Sequence, residues 1–188
     1  MKEFKYVITD KEGIHPNSAV YKVLDVIVNI LRSIPFLILM ILIMPFTRIL
    51  VGKTYGTTAT IVPLALAAAP FIARMVESSL LEVDHGVIEA AQSMGASLWT
   101  IIWKVLLAEA RTSLIVGATI ALGTILGYSA MAGTIGGGGL GDIAMRYGYY
   151  RYQADIMIIA VVLLVLLVQI LQVVGMILSK KLDRRNTR

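Results

Sequence analysis

The sequence predicts an all-α integral membrane protein with four transmembrane helices. Hydrophobic residues make up 57% of the 188 residues and charged residues only 15%, which is typical of a membrane protein rather than a soluble domain. Four apolar stretches, each close to the roughly 20 residues that a helix needs to cross a bilayer, are separated by polar segments. The chain has no cysteine, which excludes disulfides and thiolate metal sites.

The first predicted span covers residues 26–50 and follows a polar segment at residues 1–22. Pro35 lies inside this span, and because proline removes a backbone hydrogen bond we expect a bend there. Arg32 precedes the proline. It either lies near an interface or against protein, or extends its charged end from the apolar region toward water.

The second predicted span covers residues 59–76 and contains Pro63 and Pro70, seven positions apart on one helical face. Two prolines in one span favour a broken or bent helix that lines a cavity. The alternative is a kink with a packing role only.

The third and fourth predicted spans cover residues 112–131 and 156–179, and the last is followed by a basic tail at residues 180–188. In the third span, Gly123 and Gly127 form a small-xxx-small pattern that lets two helix backbones approach closely in lipid.

A glycine-rich stretch follows the third span. Gly136, Gly138 and Gly141 match the spacing of a dinucleotide-binding fingerprint, but no βαβ unit surrounds them, so we reject that interpretation. We expect a re-entrant or extracytoplasmic hairpin whose glycines permit tight backbone packing. Residues 145–155, rich in tyrosine and arginine, then predict an aromatic belt at a membrane surface. Cation–π pairing or nucleic-acid recognition is the less favoured alternative.

The loop at residues 77–111 contains a short segment of mixed polarity. Asp84 is a residue type that caps helix N-termini, Gly95 one that ends helices in a left-handed turn, and Ser97 can cap a following helix. Apolar side chains between them recur on one helical face. These side chains are Val87, Ile88, Ala91 and Met94. The pattern predicts a short amphipathic helix, a tight turn and a second helix, an arrangement suited to docking a partner.

The charge distribution predicts the orientation. Twelve lysine and arginine residues fall on the side that holds both termini and the 77–111 loop, and four fall on the opposite side. Because cytoplasmic loops are enriched in these residues, we expect the loop and the C-terminal tail to be cytoplasmic.

Glu89-Ala90-Ala91, followed six positions after the glutamate by Gly95, resembles the EAA signature of permease subunits of ATP-binding cassette (ABC) importers. Four other stretches resemble the methionine-importer permeases of that family. They are NILRSIPF at 29–36, AAAPFIAR at 67–74, GYSAMAG at 127–133 and GGLG at 138–141. The resemblance covers nearly all of residues 18–179.

The resemblance implies a type I ABC importer permease bundle over residues 23–179, with a coupling helix seated in a cleft of a cytoplasmic ATPase. It implies a homodimeric pore, two ATPase subunits that bind ATP and magnesium, and an extracytoplasmic lipoprotein that delivers methionine. The residues expected to couple to the ATPase are Val87, Ile88, Glu89, Ala90, Ala91, Met94 and Gly95. The pore or gate candidates are Pro63, Pro70, Tyr128, Ser129 and Met131.

The chain departs from the family pattern at three places. Family members have Leu-Pro where this chain has Leu107-Ala108, and a second proline where Thr112 stands, so we expect a softer re-entry of that helix. They also have one further span before the segment that begins around Thr9. A truncated, non-transporting permease that only assembles with or regulates the ATPase is therefore an alternative function.

A second alternative is an ion-coupled secondary transporter, which would need ionisable residues at mid-membrane; only Arg32 comes close. No nucleophile paired with a base and no carboxylate pair in a pocket predicts enzymatic chemistry. The isolated His15 and His85 are expected in loops and not as a metal site. The chain is therefore expected to have no catalytic residue, cofactor, metal or nucleic-acid partner of its own.

The charge distribution makes a prediction about topology. A reporter protein fused after Arg188 should be active in the cytoplasm, because five basic residues end the chain. Paired fusions of alkaline phosphatase and green fluorescent protein measure this, and alkaline phosphatase activity at that point would reverse the predicted map.

Overall fold

The computed structural model describes residues 18–182, and this range is helical throughout apart from short turns. The polar segment at 1–17 and the tail at 183–188 lie outside the described residues, as does His15. The first seven helices are α1 Ser18–Ser33, α2 Phe36–Leu42, α3 Met44–Val51, α4 Thr57–Leu81, α5 His85–Ser93, α6 Leu98–Thr100 and α7 Leu107–Glu109. The remaining helices are α8 Arg111–Ala132, α9 Gly139–Ile143 and α10 Ala154–Leu182. A π-helical turn, Ile101–Leu106, joins α6 to α7, a 3-10 turn, Gly133–Ile135, follows α8, and a second π-helical turn, Ala144–Tyr149, follows α9.

Within residues 18–182, three helical segments are long and apolar enough to cross a membrane, and a bent helix pair makes a fourth. The three are Thr57–Leu81, Arg111–Ile135 and Ala154–Leu182. The fourth consists of Lys22–Ser33 and Phe36–Leu42, with a bend of 104° between them. The all-α membrane fold that the sequence predicts is confirmed.

The region predicted as one span at residues 26–50 is divided among α1, α2 and α3. The bend expected at Pro35 is present and large, because α1 ends at Ser33 and Pro35 becomes the residue that precedes α2. The Pro35 carbonyl accepts a hydrogen bond from the Leu39 amide at 2.9 Å, so the proline starts the new helix at a position where no amide proton is needed. Arg32 is exposed in the last turn of α1.

The expectation of a broken second span is wrong. Helix α4 continues from Thr57 to Leu81 through Pro63 and Pro70, both of which are buried. Membrane helices tolerate internal proline where neighbouring protein groups surround the freed backbone. The helix also extends past the predicted end, which places Arg74 and Glu77 inside it, joined by an ion pair at 3.1 Å.

The described residues form two compact units. One contains residues 18–29 and 175–182 together with Phe71–Thr119, and the other contains Ile30–Pro70 and Ile120–Val174. The second unit has a core of buried Phe36, Met40 and Ala132, with the Tyr128 ring stacked on Phe36 at 4.8 Å between centroids.

Tight glycine packing occurs in the second unit, as expected for the glycine-rich hairpin. A Cβ atom on Gly133 would collide with the backbone of Gly141 and Asp142, and one on Gly141 would collide with the backbone of Ala130. Gly123 and Gly127, in contrast, do not mediate close approach within this chain. The nearest atoms to a Cβ on Gly123 would be 3.9 Å away, and a Cβ on Gly127 would have none within 4 Å.

This difference among the glycines predicts opposite effects of one substitution. Gly141→Ala should lower the free energy of unfolding by about 1–3 kcal/mol, because the methyl group meets backbone atoms that cannot rotate away. Gly123→Ala, the matched control inside a helix, should leave stability unchanged or raise it by about 0.5–1 kcal/mol. Thermal unfolding of the purified chain in detergent measures both, and equal midpoints for the two variants would contradict the packing.

Candidate functional site

Helix α5 begins with a side-chain cap. Asp84 has an extended backbone, and its Oδ1 accepts a hydrogen bond from the Gly86 amide at 2.7 Å. The cap satisfies one of the amides that have no partner in the first turn of a helix. The short helix that the sequence predicts here is confirmed, and His85, expected in a loop, is its first residue.

The same helix ends in a left-handed turn. Gly95 has φ +74°, and its amide donates to the Gln92 carbonyl at 2.9 Å, while the Ala96 amide donates to the Ala91 carbonyl at 3.1 Å. These bonds close the last turn of the helix. Ser97 then caps α6, its Oγ accepting from the Thr100 amide at 3.4 Å. The turn and the second cap are both as expected from the sequence.

The predicted apolar face of α5 is divided between two roles. Ala91 is buried in a cluster with Val83, Ile101, Leu106 and Ala110, and Ile88 packs against that cluster. Val87 is 40% exposed and Met94 80% exposed. Ala91 and Ile88 therefore fix the helix to its own chain, which corrects the expectation that both contact a partner.

Glu89 lies on the exposed side of α5. Its Oε1 is 3.1 Å from Nδ1 of His85, one turn earlier, and both side chains are well exposed. Exposed pairs at this spacing contribute only a few tenths of a kcal/mol. Pairing with its own helix N-terminus was the alternative for Glu89, and the contact seen is with the side chain of the first helical residue.

Polar contacts that sequence reasoning missed fix the loop that carries α5. The Ser113 hydroxyl donates to Oε2 of Glu82, which joins the start of α8 to the residue after α4. Arg74 pairs with the buried Glu77 and lies 3.8 Å from Asp25. Each partner stands next to an apolar run in the sequence, but a pairing 31 positions apart leaves no local signal.

The pore candidates fall into two environments. Tyr128 packs in the core of the second unit, whereas Ser129 and Met131 are exposed. Pro63 lines a cavity of about 10 Å³ together with Thr47 and other residues of that unit. This volume holds about one water molecule, so the cavity is too small to be a path for a solute.

The tyrosine-rich segment contains the cation–π pair that was the less favoured expectation. The Arg151 guanidinium carbon lies 4.7 Å from the centroid of the Tyr147 ring. Tyr149, Tyr150 and Tyr152 are all exposed, as in an aromatic belt. Among residues 18–182, no group of three or more histidine, aspartate or glutamate side chains could hold a metal ion.

Residues 9–188 match the family described as the inner membrane component of binding-protein-dependent transport systems. The chain belongs to this family. The match includes the bent first span, all three long helices and α5 with both of its caps, so every feature of the site lies inside the family domain.

Relatives of this permease include the "Probable D-methionine transport system permease protein MetI" of Vibrio cholerae. It is 54% identical over 177 residues, which cover 94% of this chain and 79% of the relative. The methionine import system permease protein MetP of Bacillus subtilis is 46% identical, covering 95% of this chain and 80% of its own. Among solved structures, an inward-facing MetNI methionine ABC transporter matches with a TM-score of 0.91 and 49% identity, over 94% of this chain and 82% of that one.

The left-handed turn at the end of α5 makes a prediction that separates backbone conformation from packing. A Cβ on Gly95 would have nothing within 4 Å, so a substitution there acts through φ alone. Gly95→Val should raise hydrogen exchange across residues 85–93, because an L side chain costs about 1–2 kcal/mol in this region and a branched one more.

Gly95→Asn is the matched control, because asparagine adopts left-handed backbone far more readily. Mass spectrometry of amide exchange compares the two variants. Equal exchange in both would mean that the turn does not depend on the glycine.

Proposed function

We propose that this chain is the permease subunit of an ABC importer that moves methionine or a similar amino acid across the plasma membrane of a bacterium. ATP would be hydrolysed in a separate partner subunit. The observation that carries the proposal is α5, a helix held rigidly between membrane spans with a charged and partly apolar face exposed. The family and the names of the relatives support the reaction and the solute.

Helix α5 would act as the coupling helix. Val87 and Met94 would supply apolar contact area to the ATPase, and Glu89 a charge-assisted hydrogen bond worth about 1.5–3 kcal/mol once the contact excludes water. Ala90 and Gly95 would shape the helix and its exit, while Ile88 and Ala91 transmit movement through the cluster with Ile101 and Leu106. Stiffness supports this role, since a lever that bends loses the displacement applied to it.

The complete importer would contain two copies of this chain, two ATPase subunits and an extracytoplasmic lipoprotein that delivers methionine. Exposed apolar surface supports the assembly, because only 6% of the central window of Ala154–Leu182 is buried within the chain. Lipid and a second copy would cover such a surface. The small volume beside Pro63 also favours a pore formed by two copies rather than inside one.

Within that pore, Ser129 and Met131 near the end of α8 are the proposed gate, because their side chains are exposed and a thioether adapts to solutes of different shape. Tyr128 would position them through its stack on Phe36. Pro63 and Pro70 are buried and would act through the shape of α4. The excess of basic residues supports a cytoplasmic position for α5 and the C-terminus.

Family membership does not favour an ion-coupled secondary transporter. ATP-dependent uptake separates import from a regulatory permease that only binds the ATPase. Proteoliposomes that contain the complex should accumulate radiolabelled methionine when ATP is supplied to the ATPase side. Binding of the ATPase without any uptake would favour the regulatory alternative.

The docking role of α5 predicts the effect of a charge reversal. Glu89→Lys should reduce recovery of the ATPase with the tagged permease by about 10-fold or more, the factor that corresponds to a lost interaction of about 1.5 kcal/mol. Glu109→Lys is the matched control, since Glu109 is an exposed carboxylate of the same loop. Unchanged recovery for Glu89→Lys, or equal loss in both variants, would rule out a specific contact at Glu89.

A further inference from the structure

The only two tryptophans of the sequence lie directly after the candidate docking helix, and both point away from the protein. Trp99 in α6 is 69% exposed, and Trp103 in the π-helical turn is 64% exposed. Four positions separate them, so they lie on one side of adjacent turns. Large aromatic side chains are rarely left in water in pairs, so this side of the segment requires a partner.

The opposite side of the same segment is already occupied. Ile101 and Leu106 are buried in the cluster that contains Ala91, and Ile102 packs against it. The tryptophans therefore do not face outward because the segment is loose. They are held outward by a helix whose inner side is packed against α5.

The chemistry of the segment identifies the partner. Residues 96–108 contain one charged side chain, the exposed Lys104, and no acidic one. Indole rings with an N–H group concentrate at the boundary between lipid tails and headgroups, and lysine there attracts anionic headgroups. The apolar span of α8 begins at Arg111, eight positions after Trp103, so the tryptophans continue a surface that lipid already covers.

We propose that Trp99, Trp103 and Lys104 form an anchor in the headgroup layer of the bilayer, and that this anchor sets the depth of α5 relative to the membrane. The indole rings lie at the level of the headgroups, and the Lys104 ammonium pairs with anionic lipid phosphate. Because the anchor and α5 share one hydrophobic cluster, the height of the docking helix follows that of the rings. The inference concerns lipid, and it does not depend on the solute or on coupling to an ATPase.

The composition of the chain makes the test direct, since all intrinsic tryptophan fluorescence comes from these two residues. The full chain is placed in nanodiscs of phosphatidylcholine and phosphatidylglycerol, with bromine on the lipid tails either close to the headgroup or near the tail end. Trp99→Phe and Trp103→Phe report each ring separately and keep an aromatic side chain for folding. Shallow bromines should quench each variant about twofold more than deep ones, as expected for rings at the interface.

The alternative partners give different results. Full access of aqueous acrylamide with no quenching by brominated lipid would overturn the proposal, because the rings would then be in water. Addition of the methionine-importer ATPase subunit, with phenylalanine at its own tryptophan positions, should leave the lipid quenching unchanged. Loss of that quenching on addition would mean that the ATPase covers the rings. Protection from both quenchers in the permease alone would mean that a second copy does.

A charge variant tests the role of Lys104. Raising the fraction of phosphatidylglycerol should increase shallow quenching in the unsubstituted chain, and Lys104→Gln should reduce that increase at least about twofold. Lys53→Gln, which removes an equal charge from an exposed loop outside the segment, is the control and should preserve the increase. An equal reduction in both variants would assign the effect to net charge and remove Lys104 from the anchor.

Discussion

The hydrophobic cluster of Val83, Ala91, Ile101, Leu106 and Ala110 is the contact on which the functional part of this protein depends. It joins helix α5 to the segment that leads back into the membrane, so that neither can move alone. A nine-residue helix is too short to be stable in water by its own hydrogen bonds. Packing of its inner side is therefore what makes α5 a rigid element rather than a flexible loop.

Local chemistry supports this cluster from both ends. The Asp84 carboxylate begins the helix and the left-handed Gly95 ends it, which sets the direction in which the chain turns toward Ser97. The contact of Ser113 with Glu82 then holds the two flanks of the loop together. A displacement applied to the exposed side of α5 would pass through packed side chains and these polar contacts, as a lever requires.

The membrane part was predictable where its signal is one of length and composition, and less so where backbone geometry decides. The three long helices follow from apolar runs, and the bend follows from Pro35. The same residue type misled at Pro63 and Pro70, because buried surroundings keep α4 continuous there. The small-residue pattern at Gly123 and Gly127 also suggested a contact within the chain, whereas the close approaches occur at Gly133 and Gly141.

What the sequence by itself determined is the class of the protein, its spans, and the start and end of α5. These depend on nearest neighbours, since a cap joins residues two or three apart and a left-handed turn needs only a glycine. Tertiary structure alone decided which apolar residues of the loop face inward. Ile88 and Val87 are adjacent and similar, yet one packs against Ala91's cluster and the other is exposed. The same holds for Ile101 and Trp103: burial depends on which distant side chains pack against each position, and no local pattern contains that information.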